Sequence, residues 1–320
     1  MSVPPVTVFD TSVASENLGD ELIMNSVERT LYEVFDNPHL LHIQTHDRIG
    51  TSSYDCAKKS SHTVIGGTNL LSSKMGRDQQ WDVSPRDFLH INNSILLGVG
   101  WRRYQRSPSL YTKILLKRIL SSNYLHSVRD SYTKKILDSI GIRNVINTGC
   151  PTLWGINEEH CKKIPTSKAE NVVFTLTKYN KNKNKDEELL KIIRSEYDKK
   201  FFWPQGLGDL DYLRSLTDPS DITIIRPSVR SYSILLSSID SIDYVGTRLH
   251  GGIHSLKNVR RTIIIGIDNR AIEMGNDFCL PVIQRDQPEE LYQKICDGLD
   301  IKIELPKGNI KKWKRQFSEN

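Results

Sequence analysis

Short runs of β-branched and aliphatic residues alternate with longer amphipathic stretches along almost the whole chain. This alternation constrains the fold more than any other feature. Val6–Phe9 is a strand-length apolar run, and residues 20–35 then place Ile23, Val27, Leu31, Val34 and Phe35 at helical spacing. Leu40–Ile43, Thr63–Ile65, Ser94–Val99, Tyr124–Val128 and Asn144–Thr148 read as further strands, with helices near 108–120 and over Tyr132–Ile140. A polar stretch punctuated by Pro151 and Pro165 then reads as a connection between domains. Beyond it, strands at Val172–Thr177, Phe201–Trp203, Ile222–Ile225, Ile242–Val245 and Thr262–Ile267 alternate with helices at Asp186–Tyr197, Asp209–Leu216, Ser231–Ile239 and 252–257, and a helix over Pro288–Leu299 closes the block. Such alternation favours parallel sheets flanked by helices. The expectation is an α/β fold of two doubly wound, Rossmann-like domains facing a cleft. The first would span 1–155 and the second 165–305, with a basic tail over 306–320. The lysine- and asparagine-rich Lys178–Lys185 segment reads as a solvated loop.

Composition narrows the function classes. The chain is 38% hydrophobic and 26% charged, which excludes disorder of the whole chain. The longest apolar runs, such as Ile263–Ile267, are strand-sized and far short of the ~20 residues a spanning helix needs. The start, Met1-Ser2-Val3-Pro4-Pro5, has no basic region followed by a long apolar one. A cytoplasmic location is therefore expected, with peripheral contact at the inner face of a membrane. The five cysteines are scattered, with no C-x-x-C pair, which fits a reducing compartment and excludes a cysteine-rich zinc site. The net charge of +6 is uneven: residues 101–118 carry +6, 178–200 carry +3 and 306–320 carry +4, leaving −7 elsewhere. A mildly acidic body with three basic segments argues against a nucleic-acid partner.

Ligands of doubly wound sheets bind at the carboxyl ends of strands, and the unusual residues of this chain cluster there. Asn17-Leu18-Gly19-Asp20 follows the first strand; it reads as an anion-favouring helix start or as a capping turn with Asp20 as the cap. Gly66-Gly67-Thr68-Asn69 follows the third strand as a backbone-lined floor or a plain tight turn; it is neither a dinucleotide fingerprint nor a P-loop. Ser127-Val128-Arg129-Asp130 offers a guanidinium fork for a phosphate or carboxylate, or else an Arg129–Asp130 ion pair. Gly246-Thr247-Arg248-Leu249-His250-Gly251-Gly252 joins an arginine, a group titrating near neutrality and two glycines at a helix start. Its plain alternative is a packed histidine beside a surface arginine. His250 and His254 stand four apart, but no third ligand is evident and no metal is expected. Cys150 sits in a turn, with no histidine partner assignable.

In their order and spacing, Asn17-Leu18-Gly19-Asp20, Gly66-Gly67, Ser127-Val128-Arg129-Asp130, Gly149-Cys150-Pro151 and Thr247-Arg248-Leu249-His250-Gly251 resemble the polysaccharide pyruvyl transferases, from about residue 9 to residue 281. The resemblance implies a GT-B-like fold with the site between the domains. It implies phosphoenolpyruvate as co-substrate and donor, no other cofactor, and a sugar hydroxyl pair as acceptor, free or in a lipid-linked oligosaccharide. The product would be a cyclic pyruvate ketal, with phosphate released, in a pathway to a capsule, exopolysaccharide or cell wall. On matching positions it assigns Arg129, Arg248, Leu249, His250 and Gly251 to the donor. His250 would be the general acid, with Arg129 and Arg248 the anion-binding groups. Asn17, Gly19, Asp20, Gly66, Gly67 and Asn69 would line the acceptor side. The chain departs from typical members at Gly98-Val99-Gly100-Trp101-Arg102-Arg103-Tyr104-Gln105-Arg106, a basic and aromatic loop that would bind an acidic glycan or a lipid pyrophosphate through residues such as Arg102, with Trp101 or Tyr104 stacking on a sugar, or else be a solvated loop. The Lys311–Arg315 run would touch an anionic membrane, or else be a frayed tail or a helix packed across the domains. A nucleotide-sugar glycosyltransferase of the same fold, or an inactive glycan-binding relative, are the competing readings.

Overall fold

Strands buried on both faces must be apolar throughout, and helices packed on such a sheet need one apolar stripe. Both conditions recur along the chain in the computed structural model, which describes residues 5–78 and 80–318. Met1–Pro4, read above for a signal peptide, and the last two residues of the 306–320 segment lie outside the described residues. In chain order the elements begin β1 (Val6–Asp10), α1 (Leu18–Val34), β2 (Leu40–Gln44), α2 (Thr51–Lys59), β3 (His62–Gly66), α3 (Phe88–Ile91) and β4 (Ile95–Leu97). There follow α4 (Leu110–Ile119), β5 (His126–Val128), α5 (Ser131–Ser139), β6 (Val145–Asn147), α6 (Glu158–Lys162), β7 (Asn171–Thr175), α7 (Lys183–Glu196) and β8 (Lys199–Phe202). The chain ends with α8 (Asp209–Leu216), β9 (Ile222–Ile224), α9 (Val229–Ser238), β10 (Ile242–Gly246), α10 (Leu249–Lys257), β11 (Thr262–Gly266), α11 (Asn269–Phe278), β12 (Val282–Gln284), α12 (Pro288–Cys296) and α13 (Lys307–Arg315).

These elements form two compact units. The first takes in the described residues of Met1–Ser15, Ile23–Trp154 and Leu305–Asn320, and the second Glu16–Leu22 and Gly155–Glu304. The first unit holds a parallel sheet in the order β2-β1-β3-β4 and a parallel pair β5-β6. The pair continues the sheet: Gly98 N donates to Ser127 O at 3.0 Å and Arg129 N to Val99 O at 3.0 Å. Its core gathers Phe9, Ile65, Leu96, Leu116, Leu137 and the buried indoles of Trp81 and Trp101.

Of the two readings of the basic segment, a tail or a packed helix, the structure has the helix α13. Trp313 is fully buried, with its ring edge-on to Trp154 at 6.1 Å and to Phe317 at 5.0 Å. Lys314 pairs with Glu33 and lies 5.3 Å from the Trp154 ring centre. The hydrophobic period at Ile310 and Trp313 outweighs the lysines, which keep their ammonium groups in water.

The second unit has one six-stranded parallel sheet, ordered β12-β11-β10-β7-β8-β9. From β7 the chain adds β8 and β9 on one side, then crosses back to lay β10, β11 and β12 on the other. The expected loop over Lys178–Lys185 is a short 3-10 turn at 178–180 followed by the start of α7, capped by the Asn182 side chain. Helices α2 and α11 and strand β12 were not expected from periodicity.

Candidate functional site

The reversal of strand order in the second sheet puts a switch point at the carboxyl ends of β7 and β10, where open α/β sheets bind ligands. The two strand ends are tied together there. Thr177 Oγ1 and Thr247 Oγ1 lie 2.8 Å apart, and Arg248 N donates to Thr175 Oγ1 at 3.2 Å. Tyr244 OH donates to Arg248 O at 2.7 Å, which fixes the turn from β10 into α10. Gly246 is required at this point because a Cβ would overlap Thr175.

Arg248 is buried, and its guanidinium is gripped by Asp209, in the first turn of α8. Nε donates to Oδ2 at 3.0 Å, and Nη2 donates to Oδ1 at 2.7 Å and to Oδ2 at 2.6 Å. A Cβ on Gly206 would fall inside the guanidinium, so the loop 205–209 closes on it only with glycine there. The two Nη1 donors have no protein partner among the described residues. The Tyr179 ring centre is 5.1 Å from the Arg248 guanidinium carbon and 5.8 Å from that of Arg270. Arg270 is held by Asp268 at 2.5 Å, while the exposed Lys178 has no ion-pair partner among the described residues. The carboxyl ends of β7, β10 and β11 therefore each supply a cation.

His250 is buried in the first turn of α10. Gly251 and Gly252 follow because a side chain at either would collide with Gln205, Tyr244 or Ile264. His254 points elsewhere: its Nε2 lies 2.8 Å from Ser233 Oγ, and burial pushes its pKa down to about 4. Among the described residues, the set of metal-ligating side chains that comes together is Asp10, Glu28 and His42, not the histidines of α10.

Asn17, Gly19 and Asp20 group with this second unit, although they precede nearly all of the first in the chain. Leu18 N donates to Gln205 O at 2.9 Å, Leu207 N to Glu16 O at 2.8 Å and Gln205 Nε2 to Asn17 Oδ1 at 2.8 Å. The helix start is held by Asn17, whose Oδ1 accepts from Gly19 N at 3.1 Å, rather than by Asp20. Gly19 allows the Gln205 amide to approach, since a Cβ would stand 2.6 Å from it.

The first unit carries a similar device at the ends of β3, β4 and β5. Arg129 is fully buried, with Nε and Nη2 donating to Asp130 Oδ2 at 3.1 and 3.0 Å and Nη1 to Asn69 Oδ1 at 2.6 Å. Asp130 Oδ1 also caps α5 through Thr133 N at 2.7 Å. Gly100 lies against the guanidinium, where a Cβ would overlap it. Gly66 and Gly67 answer to packing: a Cβ on Gly67, whose φ is +55°, would overlap Ile23, and one on Gly66 would meet Met24 at 3.0 Å.

Trp101 does not face a ligand as expected. It is fully buried, its Nε1 donates to Gln105 Oε1 at 2.9 Å, and it cannot stack on a sugar. Arg102 pairs with Asp78 at 2.5 Å, and Arg103 binds the same carboxylate. Tyr104 remains half-exposed, edge-on to Tyr132 at 5.0 Å.

Sequence reading missed Asp209, Gln205, Tyr179, Lys178 and Arg270. Gln205-Gly206-Leu207-Gly208 was a visible signal, a glycine-rich turn directly after a strand and before a helix.

Two solved structures are similar to this chain. The S. aureus MnaA–UDP co-structure is similar over 99% of this chain and 97% of its own, at 12% identity and a TM-score of 0.53. The UDP-GlcNAc 2-epimerase from Neisseria meningitidis bound to UDP-GlcNAc is similar over 92% and 94%, at 13% identity and a TM-score of 0.49. The first likeness shows the fold, α/β with parallel sheets and GT-B-like. No curated protein matches the sequence. No helix among the described residues is long and apolar enough to cross a membrane. The sequence model of the polysaccharide pyruvyl transferases matches residues 17–269, well over half of the chain, and the chain belongs to that family.

Proposed function

We propose that this protein transfers the enolpyruvyl group of phosphoenolpyruvate onto two hydroxyls of one sugar in a surface polysaccharide or its lipid-linked precursor. The observation that carries this reading is Arg248 at the switch point of the second sheet. Its Nε and Nη2 are fixed by Asp209, and its Nη1 donors are left for an anion. Phosphoenolpyruvate has a phosphate and a carboxylate, and charge-assisted bonds to such groups contribute roughly 1.5–3 kcal/mol each. Lys178, whose backbone N donates to Asp209 Oδ1 at 3.1 Å, adds positive charge at the end of β7. The amide groups of the first turn of α10 favour an anion further.

In the proposed reaction, His250 gives a proton to the C3 methylene, and C2 becomes electrophilic. One sugar hydroxyl adds to C2 and loses its proton back to the base so formed. The second hydroxyl then displaces phosphate, which leaves with the remaining proton. One ketal forms, one C–O bond to phosphate breaks, and nothing is oxidised or reduced. A positioned acid of this kind contributes about 10²–10⁴-fold.

The test is incubation with phosphoenolpyruvate and candidate lipid-linked oligosaccharides, followed by mass spectrometry and phosphate assay. The expected product gains a pyruvyl group with loss of water, and His250→Gln abolishes the gain. Arg248→Ala should weaken phosphoenolpyruvate binding, and an unchanged donor affinity would contradict its role. Stabilisation of the protein by UDP-sugars but not by phosphoenolpyruvate would support a nucleotide-sugar transferase instead.

A further inference from the structure

Helix α4 has two unlike faces. Thr112, Leu115, Leu116 and Ile119 are buried against the first unit. The opposite arc carries Leu110, 73% exposed, and Ile114, 53% exposed, at its centre, with Tyr111, Lys117 and Arg118 also exposed and Lys113 half-exposed. At 100° per residue these six side chains fall within a single arc of about 160°. Leu89, on the neighbouring α3, is 70% exposed. A soluble face would carry acids among its cations, but residues 101–118 contain none. Arg102 and Arg103 are already paired with Asp78, whereas Arg106, Lys113, Lys117 and Arg118 have no ion-pair partner among the described residues.

We infer that this face is a docking surface for an anionic lipid bilayer. Leu110, Ile114 and Leu89 would enter the boundary between headgroups and acyl chains, while the flanking cations meet lipid phosphates. The charge pattern selects this occupant, because long basic stems around a protruding apolar pair suit a surface that is apolar within and negative at its rim. The inference stands on the faces of α4 and the exposed Leu89 of α3 and does not depend on the reaction proposed above.

Flotation of the full-length protein with phosphatidylglycerol-containing vesicles and with pure phosphatidylcholine vesicles tests it. The protein is expected to float with the anionic vesicles and to be released by salt. Lys113→Gln/Lys117→Gln/Arg118→Gln should lower the partition coefficient about 100-fold, taking about fivefold per charge. Leu110→Asp/Ile114→Asp should abolish flotation while circular dichroism stays unchanged, since both side chains are already in water. Unchanged flotation of either variant would overturn the inference. So would an absence of preference for anionic vesicles, or a dimer that the aspartates dissociate without any vesicle binding.

Discussion

Asp209, fully buried, takes two of the three nitrogens of Arg248, so its carboxylate has no water as an alternative partner. Removing one member of such a pair leaves the other charge unpaired in the interior, which costs about 3–5 kcal/mol. Asp209→Ala is therefore expected to lower unfolding stability by that amount and to abolish transfer. Asp209→Asn keeps acceptor geometry for Nε and should lose less. Urea denaturation of the two variants beside the parent measures both effects, and equal stability of all three would show that the pair holds nothing in place.

The glycines against the two arginines separate positioning from stability. Alanine at 206 would push the Arg248 guanidinium off the loop, and alanine at 100 would do the same to Arg129. Displacement of a substrate-orienting group by about 1 Å costs about 10²-fold in rate. Gly206→Ala is expected to reduce kcat/KM for the donor about 10²-fold with the fold retained by circular dichroism. Full activity would remove Arg248 from donor binding.

Much of this was legible in the residues, and what was not has physical causes. The strands were visible because β1, β7, β10 and β11 are buried on both faces, which makes their sequences mostly aliphatic and aromatic, with Asp243 the buried exception inside β10. Helix α11 was not, because its buried stripe is only Ala271, Met274 and Phe278, Gly275 interrupts its interior, and only the Asp268 cap marks its start. At the site, Arg248 was visible through the glycines around it. Its partner Asp209 lies 39 residues upstream, in a helix whose pattern says nothing of tertiary pairing. Chain order likewise misplaced Asn17, because the first residues of α1 bond to the loop after β8.

The pair Asp10–His42, 2.8 Å apart, gives a pH dependence of known sign. The hydrogen bond to Asp10 raises the pKa of His42 against the opposing effect of burial. Burial raises the pKa of Asp10, but the bonds from His42 and Ser12 outweigh it and leave the group lowered. The histidine's contribution is thus complete below the ordinary value of about 6.5 and disappears as pH rises through its raised value. The carboxylate's contribution is present above about 4 and disappears in acid. Because His42 is about one-third exposed, the pair contributes under about 1 kcal/mol. Denaturation at pH 5.5 and 8.5 should show the parent losing more stability at the higher pH than His42→Ala does.

His126 and His254 carry the opposite sign. Burial pushes each down to about 4, opposed for His126 by the Ser121 carbonyl and assisted for His254 by Lys257. The unfolded chain takes up these protons first, near pH 6.5, so stability falls as the pH drops from there to about 4. Two-dimensional NMR of the imidazole protons should find both rings neutral at pH 5.5. Titration of either near 6.5 would place that ring in water.

The last prediction concerns α13, which carries a third of the +13 found in the three basic segments yet is anchored by an indole. Trp313 fills a site between Trp154 and Phe317 in the first unit, and Asn309 and Gln316 bond the backbone at Asn147 and Leu125. Deleting a buried aromatic ring costs about 3–5 kcal/mol. Trp313→Ala should lower stability by that amount. Lys311→Gln/Lys312→Gln, whose side chains are exposed, should change it by less than about 0.5 kcal/mol. Ending the chain at Glu304 removes the anchor and the helix together, so it should destabilise at least as much as Trp313→Ala. A shortened protein that melts with the parent would show that the first unit folds without α13.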